Sequence, residues 1–221
     1  MSRAWFVTGT DTGVGKTFAS VALLHALRGR GLRAVGMKPV AAGCERTAQG
    51  WRNEDALALL AASDPVPAYA DLNPVALPAA TAPQLAAREA GVEVALPRLL
   101  DAFSRLSAQA DAVVVEGAGG WAAPLGDGLE QSAIARAIGG EVLLVVGLRL
   151  GCLSHARLTA RAVEADGCRL AGWIGNRVDP AFERVDDYLG LLGEALPAPC
   201  LGVLGHGVDP RAAASALALP P

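Results

Sequence analysis

Short apolar runs alternate along the chain with longer stretches in which apolar positions recur every three or four residues. The runs Arg3–Thr8, Arg33–Lys38, Asp111–Glu116, Glu141–Gly147, Arg169–Gly175 and Cys200–Leu204 are strand length and mostly uninterrupted by polar residues. Such runs predict strands covered on both faces. Helices are predicted over Thr17–Arg30, Glu54–Ala62, Pro83–Glu89, Val94–Gln109, Leu129–Ile138, Ser154–Asp166 and Ala181–Leu196. Asn53 and Ser154 stand where helix N-caps are expected. Gly31, Gly139 and Gly167 follow helices where a left-handed residue ends the last turn. Strand and helix in alternation predict an α/β fold, a mostly parallel sheet with helices on both faces, as one domain over residues 1–221. Ser63–Pro83 breaks the pattern with five prolines and is read as an ordered excursion over the surface, a kind of segment that often carries function. The alanine-rich tail from Val208 predicts a short helix before Pro220-Pro221.

The junction between the first strand and the first helix is the most informative segment. It reads Thr8-Gly9-Thr10-Asp11-Thr12-Gly13-Val14-Gly15-Lys16-Thr17. A glycine-rich turn opening a helix points backbone N–H groups at phosphate oxygens. Lys16 would meet the outer phosphates and Thr17 would hold Mg²⁺. The first glycine is displaced: the usual spacing would place it at Thr10, but the chain carries it at Gly9. This segment makes the fold P-loop NTPase-like and predicts ATP or GTP binding.

At 221 residues the chain can bury one sizeable core. Its net charge of −3, with no basic run, gives no electrostatic support for a nucleic-acid partner. No apolar run is long enough for a membrane span or a signal peptide, so the expected location is the cytoplasm. Cys44, Cys152, Cys168 and Cys200 are scattered, and His25, His155 and His206 form no pair at ligand spacing. A zinc site or a disulfide framework is therefore not expected.

Other strand ends should gather beside the phosphate loop, because ligands of open parallel sheets sit beyond the strands' carboxyl ends. The second predicted strand ends Met37-Lys38-Pro39-Val40-Ala41-Ala42-Gly43. Lys38 fits a phosphate-facing role and a solvated strand end equally. The third ends Val115-Glu116-Gly117-Ala118-Gly119-Gly120, where the acid either supports Mg²⁺ or terminates a strand before a turn. Beside a phosphate loop the metal role is preferred. Asp55, in Arg52-Asn53-Glu54-Asp55, is accounted for by the helix dipole alone. Leu150-Gly151-Cys152-Leu153-Ser154-His155 is either a second anion site at a helix start or a plain cap.

Taken together, these segments resemble the dethiobiotin synthetase family. The variant phosphate loop with its displaced glycine matches, as do Met37 to Gly43, Arg52 to Leu57, Val115 to Trp121, Leu150 to Ala156 and Ala171-Gly172-Trp173-Ile174-Gly175-Asn176, all in order over nearly the whole chain. The resemblance implies ATP-dependent closure of a ureido ring on 7,8-diaminopelargonic acid with CO₂, giving dethiobiotin, ADP and phosphate. It implies that Thr12, Gly13, Val14, Gly15, Lys16, Thr17 and Phe18 wrap the phosphates, with Gly117, Ala118 and Gly119 alongside. Thr17, Asp55 and Glu116 match the metal positions. By the same resemblance Lys16 and Lys38 would supply charge between carbamate and γ-phosphate. The resemblance also implies that Asn176 would meet adenine, and that Arg177 and Gly205-His206-Gly207 would lie near the base. A homodimer is implied, with Lys38 and Ala42 on one side of the substrate and Leu150, Gly151, Cys152, Leu153, Ser154 and Tyr188 of the second copy holding its carboxylate. The chain departs from the family at Ala42, where many members carry a hydroxyl, at Ser154, where some carry Asn, at Gly205, where some carry Pro, and loosely around Ala80 to Gln84.

Two other classes share this kind of loop. A partitioning or positioning ATPase switch carries a lysine where this chain has Asp11. A non-catalytic relative of the same fold is expected to lose Lys38, Asp55 or Glu116, and all three are present.

Overall fold

In the computed structural model, residues 2–219 are described. Along the chain run β1 (Arg3–Gly9), α1 (Lys16–Gly29), β2 (Ala34–Met37), β3 (Val40–Ala42), β4 (Glu45–Thr47), β5 (Gly50–Arg52), α2 (Glu54–Ala62), α3 (Tyr69–Leu72), β6 (Val75–Leu77), α4 (Pro83–Ala90) and α5 (Leu96–Ser107). Then follow β7 (Ala112–Glu116), β8 (Pro124–Gly126), β9 (Leu129–Glu130), α6 (Gln131–Ala137), β10 (Glu141–Gly147), α7 (Cys152–Ala165), β11 (Arg169–Asn176), α8 (Val185–Ala195), β12 (Cys200–Leu204) and α9 (Pro210–Ala213). All six predicted strands join one sheet in the order β12-β11-β10-β1-β7-β2, and every pairing is parallel.

The period-two geometry of strands explains why these runs are apolar throughout. Phe6, Val113, Val115, Val142, Leu144 and Val146 face one buried cluster. Their sequence neighbours Trp5, Val7, Val114, Leu143 and Val145 face the other. Helices α5 and α7 cover the first face, while α1 and α2 cover the second. A strand buried on both sides has no polar positions to alternate with.

From β1 the chain first builds outward to β2 and β7, then crosses to β10, β11 and β12 on the other side. The direction of winding reverses at β1, which opens a crevice beyond its carboxyl end. The loop Thr10–Gly15 occupies that crevice. Because every strand is parallel, Gly9, Lys38, Glu116, Asn176 and Gly205 all emerge at the same edge.

Several expectations need correction. Ser63–Pro83 is not a surface excursion: it forms α3 and β6, pairs β6 in parallel with β3, and buries Leu72, Val75 and Leu77. Its prolines hid a helix of only four residues and a strand of three, too short for any periodicity to show. Ser154 does not cap α7. Gly151, at φ 93°, turns the chain into the helix so that it starts at Cys152. The stretch predicted as a helix from Leu129 begins instead with the β8–β9 hairpin. The tail helix is α9 followed by a 3₁₀ turn at Ala214–Ala216; Pro220 and Pro221 lie outside the described residues. Asn53 does cap α2, accepting from the Ala56 N–H at 3.2 Å. Gly31, Gly139 and Gly167 take the positive φ expected after helices. The four cysteines are free.

Candidate active site

The phosphate loop rests on two glycines whose hydrogen side chains are required. Gly15 has φ 84°, and a Cβ there would come within 2.0 Å of Asn176 Nδ2. A Cβ on Gly9 would lie 2.6 Å from Val14 Cγ2 and 3.1 Å from Lys16 Cγ. The displaced glycine is thus demanded by close packing of the loop over the end of β1 rather than by a left-handed turn at position 9. Among the described residues, Gly13 and Gly15 are the ones in this loop with positive φ.

A hollow of about 820 Å³ opens beside the loop. It is lined by Thr12, Gly13, Gly15, Lys16 and Thr17, by Lys38 and Ala42, by Asn53 and Asp55, by Ala80 to Pro83, and by Glu116, Ala118, Gly119, Gly120, Ala123 and Pro124. The chemistry concentrates at its floor. Lys38 is almost fully buried, and its Nζ donates to Glu116 Oε1 at 2.5 Å and Asp55 Oδ2 at 2.8 Å. Thr17 Oγ1 donates to Glu116 Oε1 at 2.9 Å. Lys16 Nζ donates to the Asp11 carbonyl at 3.0 Å.

Burial acts against the Lys38 ammonium, but Glu116 and Asp55 outweigh it and hold its pKa above the ordinary lysine value. Asp55 shows the converse: burial raises its carboxyl, and Lys38 prevails and brings it below the usual range. Lys16 is brought down to about 8, chiefly by burial and then by Lys38, against the pull of Glu116, Asp55 and Asp11. Two lysines and two acids are therefore packed in one partly desolvated cluster, where electrostatic terms are larger than in water.

Glu116 Oε2 is buried and has no hydrogen-bond partner among the described residues. A fully buried carboxylate oxygen without a donor is costly. With the Thr17 hydroxyl and Asp55 close by, the donors are hard oxygens, one or two carboxylates and a hydroxyl, which is the set that suits Mg²⁺ held jointly with phosphates. The residues present therefore fit this metal.

A second hollow of about 330 Å³ adjoins the loop on its other side. Gly13, Phe18, Asn176, Arg177, Val178, Gly205, His206, Gly207 and Val208 line it. Asn176 Nδ2 donates to the Val14 carbonyl at 2.9 Å, so part of its amide is spent on bracing the phosphate loop. The expected base-side residues are thus brought together, next to the loop and apart from Lys38.

Leu150–Ser154 and Tyr188 line neither hollow. Leu150 is 82% exposed; Tyr188 lies on α8 and packs edge-on against Phe182 at 4.8 Å. Arg149 just before this segment does reach the loop, pairing with Asp11 at 2.9 Å.

Two supporting residues escaped the sequence analysis. Asn73 Nδ2 donates to the Lys38 carbonyl at 2.7 Å, and the Lys38 N–H donates to the Leu72 carbonyl at 2.8 Å, so the proline-rich segment clamps the strand end that presents Lys38. Gln131 accepts from Ala118 N–H at 2.7 Å and donates to the carbonyls of Ala118 and Gly120 at 2.6 and 2.5 Å, bracing the glycine loop after Glu116. A polar residue opening a predicted helix carries no sign of such a partner, because the contact depends on the folded loop.

A family model described as an AAA domain matches residues 3–206. The ATP-dependent dethiobiotin synthetase BioD of Xanthomonas oryzae pv. oryzae (strain PXO99A) is 61% identical over 216 residues, covering 98% of this chain and 96% of that protein. The protein of the same name from Xylella fastidiosa (strain 9a5c) is 60% identical over 217 residues, covering 97% and 96%. Among solved structures, the septum site-determining protein MinD of Pyrococcus horikoshii OT3, complexed with Mg-ADP, matches with a TM-score of 0.56 at 16% identity, over 93% of this chain and 82% of that one. The signal recognition particle receptor FtsY of Elizabethkingia anophelis matches with a TM-score of 0.54 at 20% identity over 98% of this chain, which spans 65% of that receptor chain. These two likenesses establish a P-loop NTPase-like fold and nothing finer. Identity near 60% over almost the full length of both proteins goes further: the chain belongs to the ATP-dependent dethiobiotin synthetase family, a family of ligases.

Proposed function

We propose that this chain closes the ureido ring of dethiobiotin from 7,8-diaminopelargonic acid and CO₂ at the expense of ATP. One amine of the diamine adds to CO₂ to form a carbamate. A carbamate oxygen attacks the γ-phosphorus, and the bond to ADP breaks. The second amine then attacks the carbonyl carbon, phosphate leaves, and the ring closes with loss of the amine protons. The observation that carries this reading is the buried Lys38 ammonium, poised between Asp55 and Glu116 on the floor of the hollow that the phosphate loop borders. An anionic carbamate can approach an anionic phosphate only across positive charge, and preorganised ammonium groups supply it without reorganisation.

In this scheme Thr12–Phe18, with Gly117, Ala118 and Gly119, hold the phosphates, and Lys16 and Lys38 are the catalytic cations. Thr17, Asp55 and Glu116 would hold Mg²⁺, which neutralises charge on the phosphates. Asn176, Arg177 and Gly205-His206-Gly207 border the base. Lys38 and the backbone at Ala42 face the diamine. Its carboxylate is held by Leu150–Ser154 and Tyr188 of a second copy in a homodimer, a reading supported by the exposure of Leu150 and by the fact that these residues line neither hollow of their own chain. No helix of the described residues is long and apolar enough to cross a membrane, and the cytoplasm is the proposed location.

Phosphate release from purified chain, ATP, Mg²⁺, bicarbonate and diamine, omitting each in turn, tests the reading. Release is expected only with all components present. Equal turnover without the diamine would instead favour an ATPase switch.

A further inference from the structure

A separate hollow of about 530 Å³ lies at the far end of α1, walled by His25, Arg28, Arg33, Asp64 and Arg211. The phosphate loop sits at the opposite end of this 14-residue helix, roughly 20 Å away at 1.5 Å per residue. The two sites are therefore distinct. The cationic groups converge from separate places: His25 and Arg28 from α1, Arg33 from the turn before β2, and Arg211 from α9. In a chain of net charge −3, three arginines face one acid across this hollow.

Two of the arginines are partly committed. Arg33 forks onto Asp111 at 2.7 and 3.2 Å. Arg28 donates to the Ala62 carbonyl at 2.9 Å and lies 3.6 Å from Asp64. The Arg211 guanidinium and the His25 imidazole have no hydrogen-bond partner among the described residues. Burial, then Arg28 and Arg211, push the His25 pKa down, with Asp209 opposing. A helix C-terminus attracts cations by itself, but here two of the last-turn carbonyls are already engaged. Leu27 accepts from the N–H groups of Arg30 and Leu32, and Arg28 accepts from that of Gly31. The dipole also gives no reason for Arg211 to be brought in from another helix around an open volume.

We propose that this hollow binds a small phosphate-bearing anion, held by Arg211, His25 and the free N–H groups of Arg28. Guanidinium groups match phosphate oxygens in paired geometry, and a doubly charged oxyanion would offset cations that otherwise repel one another. Asp64 remains with Arg28 at the rim.

The test follows the His25 imidazole by NMR pH titration of the full chain, with His155 and His206 as reporters elsewhere. Inorganic pyrophosphate at millimolar concentration is compared with NaCl at matched ionic strength. Pyrophosphate is expected to raise the His25 pKa by about half a pH unit or more beyond the salt effect. Arg211→Ala, at an exposed side chain, should abolish that difference while leaving the thermal unfolding transition in place. Equal movement in both salts would mean screening only and would overturn the site. So would a response confined to His206, which would assign the anion to the nucleotide side, or a full His25 response in Arg211→Ala.

Discussion

Lys38 joins a structural role to the catalytic one proposed for it. A lysine at a solvated strand end would be dispensable for folding. The structure instead buries Lys38 against Glu116, which is itself fully buried. Removing one partner of such a pair leaves the other charge uncompensated. Lys38→Ala is therefore expected to lower turnover on the order of 100-fold and also to destabilise the chain by about 3 kcal/mol, measured by phosphate release and by urea unfolding. The double variant Lys38→Met with Glu116→Gln should recover most of the stability and none of the turnover. If Lys38→Ala unfolds at the parental urea midpoint, the charge pairing has been misjudged. Lys16 differs, since among the described residues its ammonium is hydrogen-bonded to a loop carbonyl and paired directly with no acid. Lys16→Ala should weaken ATP binding in calorimetry with little change in unfolding.

At the scale of elements, the site depends on strand ends being held in position by side chains from elsewhere. Gln131, opening α6, holds the loop after β7 through three hydrogen bonds. Gln131→Ala would leave the Ala118 N–H and two carbonyls without these partners, at a cost of roughly 1–3 kcal/mol. Its ATP affinity should fall together with its stability, because the released loop borders the phosphate hollow. The amino ends of β2 and β7 are joined by a different device. Asp111 accepts from the Arg33 guanidinium and from the Arg33 backbone N–H, and its carboxyl is held down to about 2, chiefly by the guanidinium hydrogen bond. A depressed acid contributes stability that is fully present above its unfolded pKa near 4 and is lost as pH falls toward 2. Asp111→Asn should remove that part of the acid-unfolding profile and leave neutral-pH activity unchanged. An identical acid limb in both proteins would show that the pair contributes nothing.

At the scale of the whole molecule, one chain brings together the nucleotide side and Lys38 but leaves Tyr188 and Leu150–Ser154 outside the hollow. The proposed homodimer would complete each site with a partner's segment. Tyr188→Phe should weaken diamine binding by roughly 1.5–3 kcal/mol, the worth of a hydrogen bond to a charged group, with ATP binding nearly unchanged. Mixing Tyr188→Phe chains with Lys16→Ala chains gives a sharper readout. In a mixed dimer one composite site carries both lesions and the other neither, so activity should partly return as subunits exchange. Exchange without recovery would place the tyrosine's role within its own chain.

The amino-acid pattern by itself determined the sheet. Six apolar runs became six parallel strands because a strand buried on both faces is apolar at nearly every position, a local property that needs no partner to be legible. The glycine-rich loop was legible for a similar reason: backbone conformation and close approach restrict residue type at particular positions such as Gly9 and Gly15. The tertiary structure alone decided where the ambiguous residues sit and what they meet. By pattern Asp55 was accounted for by the helix dipole and Lys38 stood open between a phosphate-facing lysine and a solvated terminus; folding sets the Lys38 ammonium between Asp55 and Glu116. Ser63–Pro83 looked like surface until β6 paired with β3 and Asn73 bound the Lys38 carbonyl. Gln131 carried no signal at all. Propensity and periodicity act over neighbouring residues, whereas a buried charge or amide takes its meaning from partners far along the chain that only folding supplies.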